Sequence, residues 1–596
     1  MDKNLFSEFK PVSTKEWLEK INNDLKGAPF DKLIWKTINN FNLNPFYRNE
    51  DLKNLSYLDN IPGEFPYNRG NNINYKWYIN EEISCEDIKK ANAYAIKLIK
   101  NGITSLTFYN IKKLDFDTLL KNIDLSKIEI NIKIKNSNQL LTTLKTLQKL
   151  KLNNIKGSFF CDNITDTLFT LKTFSDEAKN NLINAYKIIK DFKNYRLIAI
   201  NGINFTNAGT STTQEIAFTI SAGVEYINFF TDKKIKADDI IKKIQFNLGI
   251  GSDYFIEIAK IRAIRFLWAK ICESYKVKKQ DSKVFIHSQT SNFNKTIYDK
   301  YVNILRTTTE AMSAIIGGTD SLNIINFDKN MPEDSEFAQR ISKNIQIIIK
   351  EEAYFDKITD PSAGSYYIEN ITDKLIEKSW DLFLDIENQG GFLSAIDNNF
   401  IKTQITDIQT KRLKNVETRK EIVLGTNQYP NLLEKIETPE NIKRYENKGS
   451  VKTFRKSQEI EKIRLKTDKS LYTPKVYLFT YGNLAMRKAR AMFATNFFGV
   501  AGFKIIDNTK PNNIIDGINE FNKTKADLFV ICSSDDEYLK LATEISKKIN
   551  PDKIVIAGYP KNIIDDLQNL KIQNFIHTKS NLVKDLTKYQ NQILKN

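Results

Sequence analysis

From Trp77 onward, short runs of β-branched and aromatic residues alternate with stretches whose apolar positions recur every three or four residues. The runs predict strands at 77–80, 105–109, 128–134, 157–161, 196–200, 225–230, 284–287 and 321–325. The amphipathic stretches predict intervening helices, including 87–100, 176–191, 213–222 and 254–272. Strands that each precede a helix in this order build a (β/α)8, or TIM, barrel. Such strands are buried on both faces, which accounts for the near-continuous apolar character of several of them. The run D-P-S-A-G-S-Y-Y-I-E at 360–369 closes this region and reads as a turn, a short extended piece and then a helix.

The pattern changes on either side of the barrel. Residues 1–50 lack sustained periodicity, with Trp17, Leu25, Leu33 and Trp35 separated by polar residues, and form an arm expected to drape over the barrel or over a partner chain. The barrel itself occupies 51–392. A polar, charged linker with helical portions spans 393–473, with Tyr429-Pro430 and Thr438-Pro439 as breakers. A second α/β series fills 474–596, with strands at 476–480, 503–506, 527–532, 553–557 and 574–576 and helices at 486–498, 513–522, 536–549, 563–570 and 582–594. It reads as a five-stranded, doubly wound, flavodoxin-like domain, in which ligands sit at the carboxyl ends of the strands.

Composition narrows the function classes. The chain has 596 residues, 41% of them hydrophobic, enough for at least two cores. No apolar run approaches the roughly 20 residues of a membrane span, and the amino-terminal stretch does not look like a secretion signal. Cys85, Cys161, Cys272 and Cys532 are scattered without metal or disulfide spacing, and a reducing cytoplasm is expected. The net charge of +17 comes from lysines interspersed with Asp and Glu rather than from blocks, which argues for solvated faces over a nucleic-acid groove.

Chemistry-bearing residues are few. The chain holds only two histidines, His287 and His577, so a histidine-rich metal site is excluded. No nucleophile elbow, P-loop or dinucleotide fingerprint occurs. His287 ends a predicted barrel strand within H-S-Q-T-S, where it and Gln289 either face a ligand or cap the barrel core by hydrogen bonding. His577 is read as structural or solvent-exposed. The run Ser533-Ser534-Asp535-Asp536 reads as a helix cap, and Gly317-Gly318-Thr319 as a helix-ending turn ahead of an anion site.

Taken together, the motifs resemble a known family. They are D-L-K-G at 24–27, P-F-Y at 45–47, P-G-E-F-P-Y-N-R-G at 62–70 and E-I-A-K-I-R-A-I-R-F-L-W at 257–268. H-S-Q-T-S at 287–291, R-T-T-T-E-A-M at 306–312, G-G-T-D-S-L at 317–322 and the run at 360–369 follow in order. This series resembles the adenosylcobalamin-dependent methylmalonyl-CoA mutases over nearly the full chain. The departures are as informative. The family's S-G-x-H-x-x-E-A-G appears as N-G-I-N-F-T-N-A-G at 201–209, with Asn204 in the histidine position. Its S-L-H-T-N appears as S-L-N-I-I at 321–325, and its W-T-I-R-Q-Y as W-Y-I-N-E-E at 77–82. The cobalt-ligating D-x-H-x-x-G is replaced by Y-G-N-L-A-M-R at 481–487, in which Met486 reads as a helix-start core residue rather than a soft ligand. Where the family has paired glycines after the fourth strand of this domain, Ala557-Gly558-Tyr559-Pro560 stands instead, putting a ring where a cofactor tail needs room.

The resemblance therefore implies a non-catalytic subunit of the heterodimeric members, on which no catalytic, cofactor-binding or metal residue is expected. Adenosylcobalamin would be held by a large-subunit partner, about which the arm would wrap. The alternatives are a stand-alone acyl-CoA mutase using cobalamin without a protein histidine ligand, and a non-enzymatic binding or chaperone module.

Overall fold

The computed structural model describes residues 8–332, 335–438, 440, 442, 447–508, 511 and 513–594. The first seven residues of the expected arm and the breaker Pro439 lie outside the described residues.

The barrel strands are β1 Tyr78–Ser84, β2 Ser105–Tyr109, β3 Glu129–Lys133, β4 Lys156–Phe160, β5 in two segments Tyr195–Arg196 and Ile198–Asn201, β6 Ile244–Ile250, β7 Phe285–Thr290 and β8 Ser321–Asn323. Pairing is parallel throughout, and the first segment of β5 joins β4 while the second joins β6, so one interrupted strand closes the barrel. At the interruption the N–H groups of Leu197 and Ile198 both donate to the Lys243 carbonyl, at 2.8 and 3.0 Å, a bulge-like doubling that turns the strand.

Two expectations fail here. Residues 225–230 form the end of a helix, Thr212–Asp232, and the sixth strand is Ile244–Ile250 instead. The helix is buried on almost every side, so the Tyr-Ile-Asn-Phe-Phe run that suggested a strand reflects burial, not extension. The true strand has all seven positions buried, but Gln245 and Asn247 break its apolar run and hide it. The 360–369 run also lacks an extended piece: Gly364, at φ +76°, leads straight to Ser365, whose hydroxyl caps the helix Tyr366–Asn388.

That helix lies against Tyr254–Ser274, which holds three buried cations. Arg262 donates to Asp360 and to Glu369, the latter at 2.7 Å, while Glu369 also accepts the Gly364 N–H at 3.0 Å. Arg265 donates to Asp320 and to the carbonyls of Val284 and Gly318, each at 2.7 Å. Lys260 sits between Glu215 at 2.8 Å and Glu257 at 2.5 Å. Gly317 and Gly318 do end their helix, with the Thr319 N–H returning to the Ala314 carbonyl at 3.1 Å.

The arm begins with the helix Thr14–Asp24, closed by a reciprocal Ser13–Glu16 cap. Its later part docks on the chain's own barrel, where Asn39 accepts the Thr212 N–H at 2.8 Å, while Phe9, Val12, Trp17 and Trp35 stay exposed. The linker contains helices Phe400–Glu417 and Gln458–Lys469 and touches the barrel through Gly449 and Val451, which donate to Phe169 and Leu168. The C-terminal sheet comprises β9 Lys475–Thr480, β10 Lys504–Asn508, β11 Leu528–Cys532 and β12 Ile554–Ile556, parallel in the order β10-β9-β11-β12. The expected fifth strand is reduced to a bridge between Ile556 and Phe575. Among the described residues the four cysteines are buried and unpaired, and no helix is long and apolar enough to cross a membrane.

Removing one member of a buried ion cluster leaves the others uncompensated, at about 3–5 kcal/mol. Arg262→Leu is therefore expected to lower the thermal midpoint of the barrel by several degrees, followed by circular dichroism, with Arg262→Lys intermediate; an unchanged midpoint would contradict this role.

Candidate functional site

Barrel interiors are ordinarily packed with branched apolar side chains. Here alternate residues of β1 to β4 place Asn80, Ser105, Glu129, Asn131 and Ser158 inward, all buried. They form a chain of hydrogen bonds: Asn80 donates to Ser105 at 2.7 Å, Ser105 to Glu129 at 2.8 Å, and Ser158 to Asn131 at 2.8 Å. These groups thus satisfy much of one another's hydrogen-bonding capacity within the chain.

The decisive contacts include several between strands that are not neighbours. Arg196 on β5 reaches Glu129 on β3 at 2.5 Å and Gln245 on β6 at 2.6 Å, with its guanidinium 3.7 Å from the centre of the Phe285 ring on β7. Lys133 on β3 meets Glu82 on β1 at 2.5 Å. Burial opposes the Glu82 charge, but the Lys133 ammonium outweighs it and holds the carboxyl below its usual range. Gln289 donates to Asn323 at 2.8 Å and to Glu82 at 3.3 Å. These side chains span the axis and fill it.

His287 lies inside this network. Its Nδ1 is 3.1 Å from the Ser321 hydroxyl, its ring packs 5.0 Å from that of Phe160, and Nε2 has no hydrogen-bond partner among the described residues. Burial, foremost, pushes its pKa down to about 3, so the ring is neutral at physiological pH and is no proton donor there. The structure thus brings His287 and Gln289 together within the axial packing. Asn204 sits apart, half-buried in the short helix Ile203–Asn207 that follows β5.

Below the network, the amino-terminal mouth of the barrel opens into a cavity of about 790 Å³ bordered by Lys76, Lys127, Lys156, Lys193 and Lys283, with Arg196 and Glu129 at its floor. A chain-like ligand entering there would meet the Arg196–Glu129 pair.

In the C-terminal domain, the loop after β9 is occupied by its own side chains. Asn483 accepts the Ala485 and Met486 N–H groups at 3.1 Å and caps the helix Leu484–Gly499. Gly482 has φ +83°, and a Cβ there would fall 2.1 Å from a Glu537 carboxylate oxygen. Glu537 accepts the hydroxyls of Ser533 and Ser534 and the Asn483 N–H; these bonds, the serine ones foremost, hold its carboxyl down to about 2. The serine run thus ties to Glu537 and does not cap the helix Tyr538–Ile545, as its sequence suggested. Met486 stands at a helix start as expected, but it is exposed and not part of the core. His577 is half-buried in a turn, its Nδ1 accepting the Lys579 N–H at 3.2 Å and its ring 4.9 Å from Tyr559. The loop supplies no imidazole, and Glu537 fills the space beside Gly482, so these residues do not fit a cobalt-bound corrin in the family's manner.

Sequence reasoning missed the axial network. Its signal was present in the alternation of Glu129-Ile130-Asn131-Ile132-Lys133, where polar residues fall on one face of a strand whose two faces are both buried.

Residues 109–476 match the methylmalonyl-CoA mutase family. The chain is 39% identical over 610 aligned residues to a methylmalonyl-CoA mutase small subunit of Porphyromonas gingivalis, an alignment spanning 99% of this chain and 98% of that one. It is 25% identical to a small subunit of the same name from Streptomyces virginiae, spanning 93% and 94% of the two chains. A methylmalonyl-CoA mutase of Rhizobium meliloti is 29% identical across 70% of this chain and 64% of its own length.

The buried neutral His287 makes a pH prediction. Below about 6.5 an unfolded histidine binds a proton, whereas the folded ring does not until about pH 3, so unfolding takes up a proton in between. Stability contributed by His287 is full above the unfolded value and falls with pH through this window, by about 1.4 kcal/mol per pH unit. Denaturant unfolding from pH 6.5 to 4.5 is expected to show a slope one proton shallower in His287→Asn; equal slopes would contradict the assignment.

Proposed function

The chain belongs to the methylmalonyl-CoA mutase family, and from that premise we propose that it is the small, non-catalytic subunit of a heterodimeric mutase. The large subunit holds adenosylcobalamin and interconverts (R)-methylmalonyl-CoA and succinyl-CoA, an isomerase reaction to which this chain contributes assembly and stability. The single observation that carries the reading is the filled barrel axis: Arg196–Glu129 and Lys133–Glu82 cross the space in which a substrate would have to lie. The Arg196–Glu129 pair, with Glu129 buried, is costly to open because each separated charge loses its partner.

The C-terminal domain supports the same reading. Its strand order matches that of flavodoxin-like sheets, yet Asn483 and Glu537 occupy the loop at the switch point. We read it as a cobalamin-binding type of domain that has lost the cofactor, retained for its place in the assembly. The exposed Phe9, Val12 and Trp17 of the arm fit a segment that is covered by the partner, and the absence of a membrane-crossing helix among the described residues fits a cytoplasmic heterodimer.

Expression of the chain alone and together with a large subunit tests the proposal. Mutase turnover is expected only with the large subunit present, and Asn204→His in the isolated chain is expected to remain inactive because the axis stays filled. Turnover by the isolated chain would overturn the assignment.

A further inference from the structure

A helix that covers one face of a sheet ordinarily turns a charged or polar side to solvent. The first helix of the C-terminal domain, Leu484–Gly499, does not. Its inner side buries Ala491, Ala494, Phe497 and Phe498 in the core of that domain. Its opposite side is formed by Ala485, Ala489, Met492 and Asn496, which recur at intervals of three and four residues. Asn496 is engaged internally, its Oδ1 accepting the Tyr429 N–H at 3.1 Å and its Nδ2 donating to the Met492 carbonyl at 3.0 Å. Apart from Lys488, this side therefore offers small and apolar groups to solvent, and Met492 is 65% exposed.

The linker extends the same apolar surface. Leu432 packs on Gly499, where a Cβ would fall 2.4 Å from its Cδ2, and the neighbouring Leu433 is 95% exposed. Tyr429, tied to the helix through its N–H, is exposed as well, as are Leu484 and Met486 in the first helical turn. Apolar side chains exposed singly need no explanation, whereas a set connected across two segments marks a surface that another molecule covers.

The charge on this face selects the occupant. Residues 484–499 include Arg487, Lys488 and Arg490 and no Asp or Glu. Arg490 pairs with Asp535 at 3.0 Å, while Arg487 and Lys488 have no ion-pair partner among the described residues. A two-fold pairing of identical chains sets one patch against its own copy, which would bring these cations face to face. A lipid surface calls for large apolar side chains to insert, and Ala485 and Ala489 offer none. Small residues instead let the backbone of another protein element come close. The complement is a protein surface with an apolar centre and a carboxylate rim.

We propose that this face of the C-terminal domain docks on the large subunit, against a surface of that chemistry. The inference rests on the subunit reading above and deepens it by naming the surface. A domain whose cofactor loop is filled by its own side chains then has a part in holding the two chains together.

Isothermal titration of the purified full-length chain into its cognate large subunit, at low and at high salt, tests this. Met492→Glu, which sets a carboxylate against the acidic rim, is expected to weaken binding about tenfold or more. Lys488→Glu is expected to weaken it and to flatten its salt dependence, while Lys488→Arg keeps the parent affinity. Both positions are exposed, so circular dichroism is expected to show the parent thermal midpoint in each variant. Parent-level affinity in both Met492→Glu and Lys488→Glu would overturn this inference alone, and no binding by the parent chain would overturn the subunit reading with it. Self-association of the isolated chain, or its retention on phosphatidylserine vesicles, that is abolished by Met492→Glu would assign the face to another occupant and overturn the proposal equally.

Discussion

Three cations buried on a single 21-residue helix, Lys260, Arg262 and Arg265 of Tyr254–Ser274, set the terms for the outer layer of this barrel. A buried charge is tolerated only when paired and hydrogen-bonded, and each of the three draws in a different part of the chain. Lys260 fixes the helix Thr212–Asp232 through Glu215, Arg265 fixes the start of β8 through Asp320, and Arg262 fixes the turn before Tyr366–Asn388 through Asp360 and Glu369. The conspicuous Asp-Pro-Ser-Ala-Gly run is thus the acidic socket for an arginine two helices away. Its Gly364 matters because the N–H there holds Glu369 in place to receive that arginine.

The same electrostatic logic, moved from the outer layer to the axis, closes the barrel. Glu129 with Arg196 and Glu82 with Lys133 are pairs that bridge strands across the interior, and the amide and hydroxyl ladder between them leaves few donors wanting. Ion clusters thus hold both the outer layer and the interior of the barrel, the arrangement on which the proposed non-catalytic role rests. The C-terminal loop repeats the theme on a smaller scale, with a carboxylate, Glu537, drawn into the space beside Gly482 by two serine hydroxyls.

Much of this was legible beforehand, and the failures have physical causes. Strands such as Ser105–Tyr109 and the helix Leu582–Leu594 follow from periodicity because local pattern and burial agree there. The helix Thr212–Asp232 was cut short because a helix buried all round has no polar face to reveal its period, and β6 was missed because Gln245 and Asn247 point polar groups into the interior. The motif departures at Asn204 and around Tyr481 marked where this chain differs from the family pattern. They did not indicate what had taken its place, because the cross-axis pairs join residues that sequence spacing cannot relate. Glu82 and Lys133, or Glu129 and Arg196, meet only once the barrel has closed.

The most direct measurement of the central claim is the cobalamin content of the proposed heterodimer, purified after saturation with adenosylcobalamin and removal of the excess, read from corrin absorbance against protein concentration. A sealed axis and an occupied loop predict one cobalamin per pair of chains, and none retained by this chain on its own. Two cobalamins per pair, or a corrin spectrum on the isolated chain, would contradict the account.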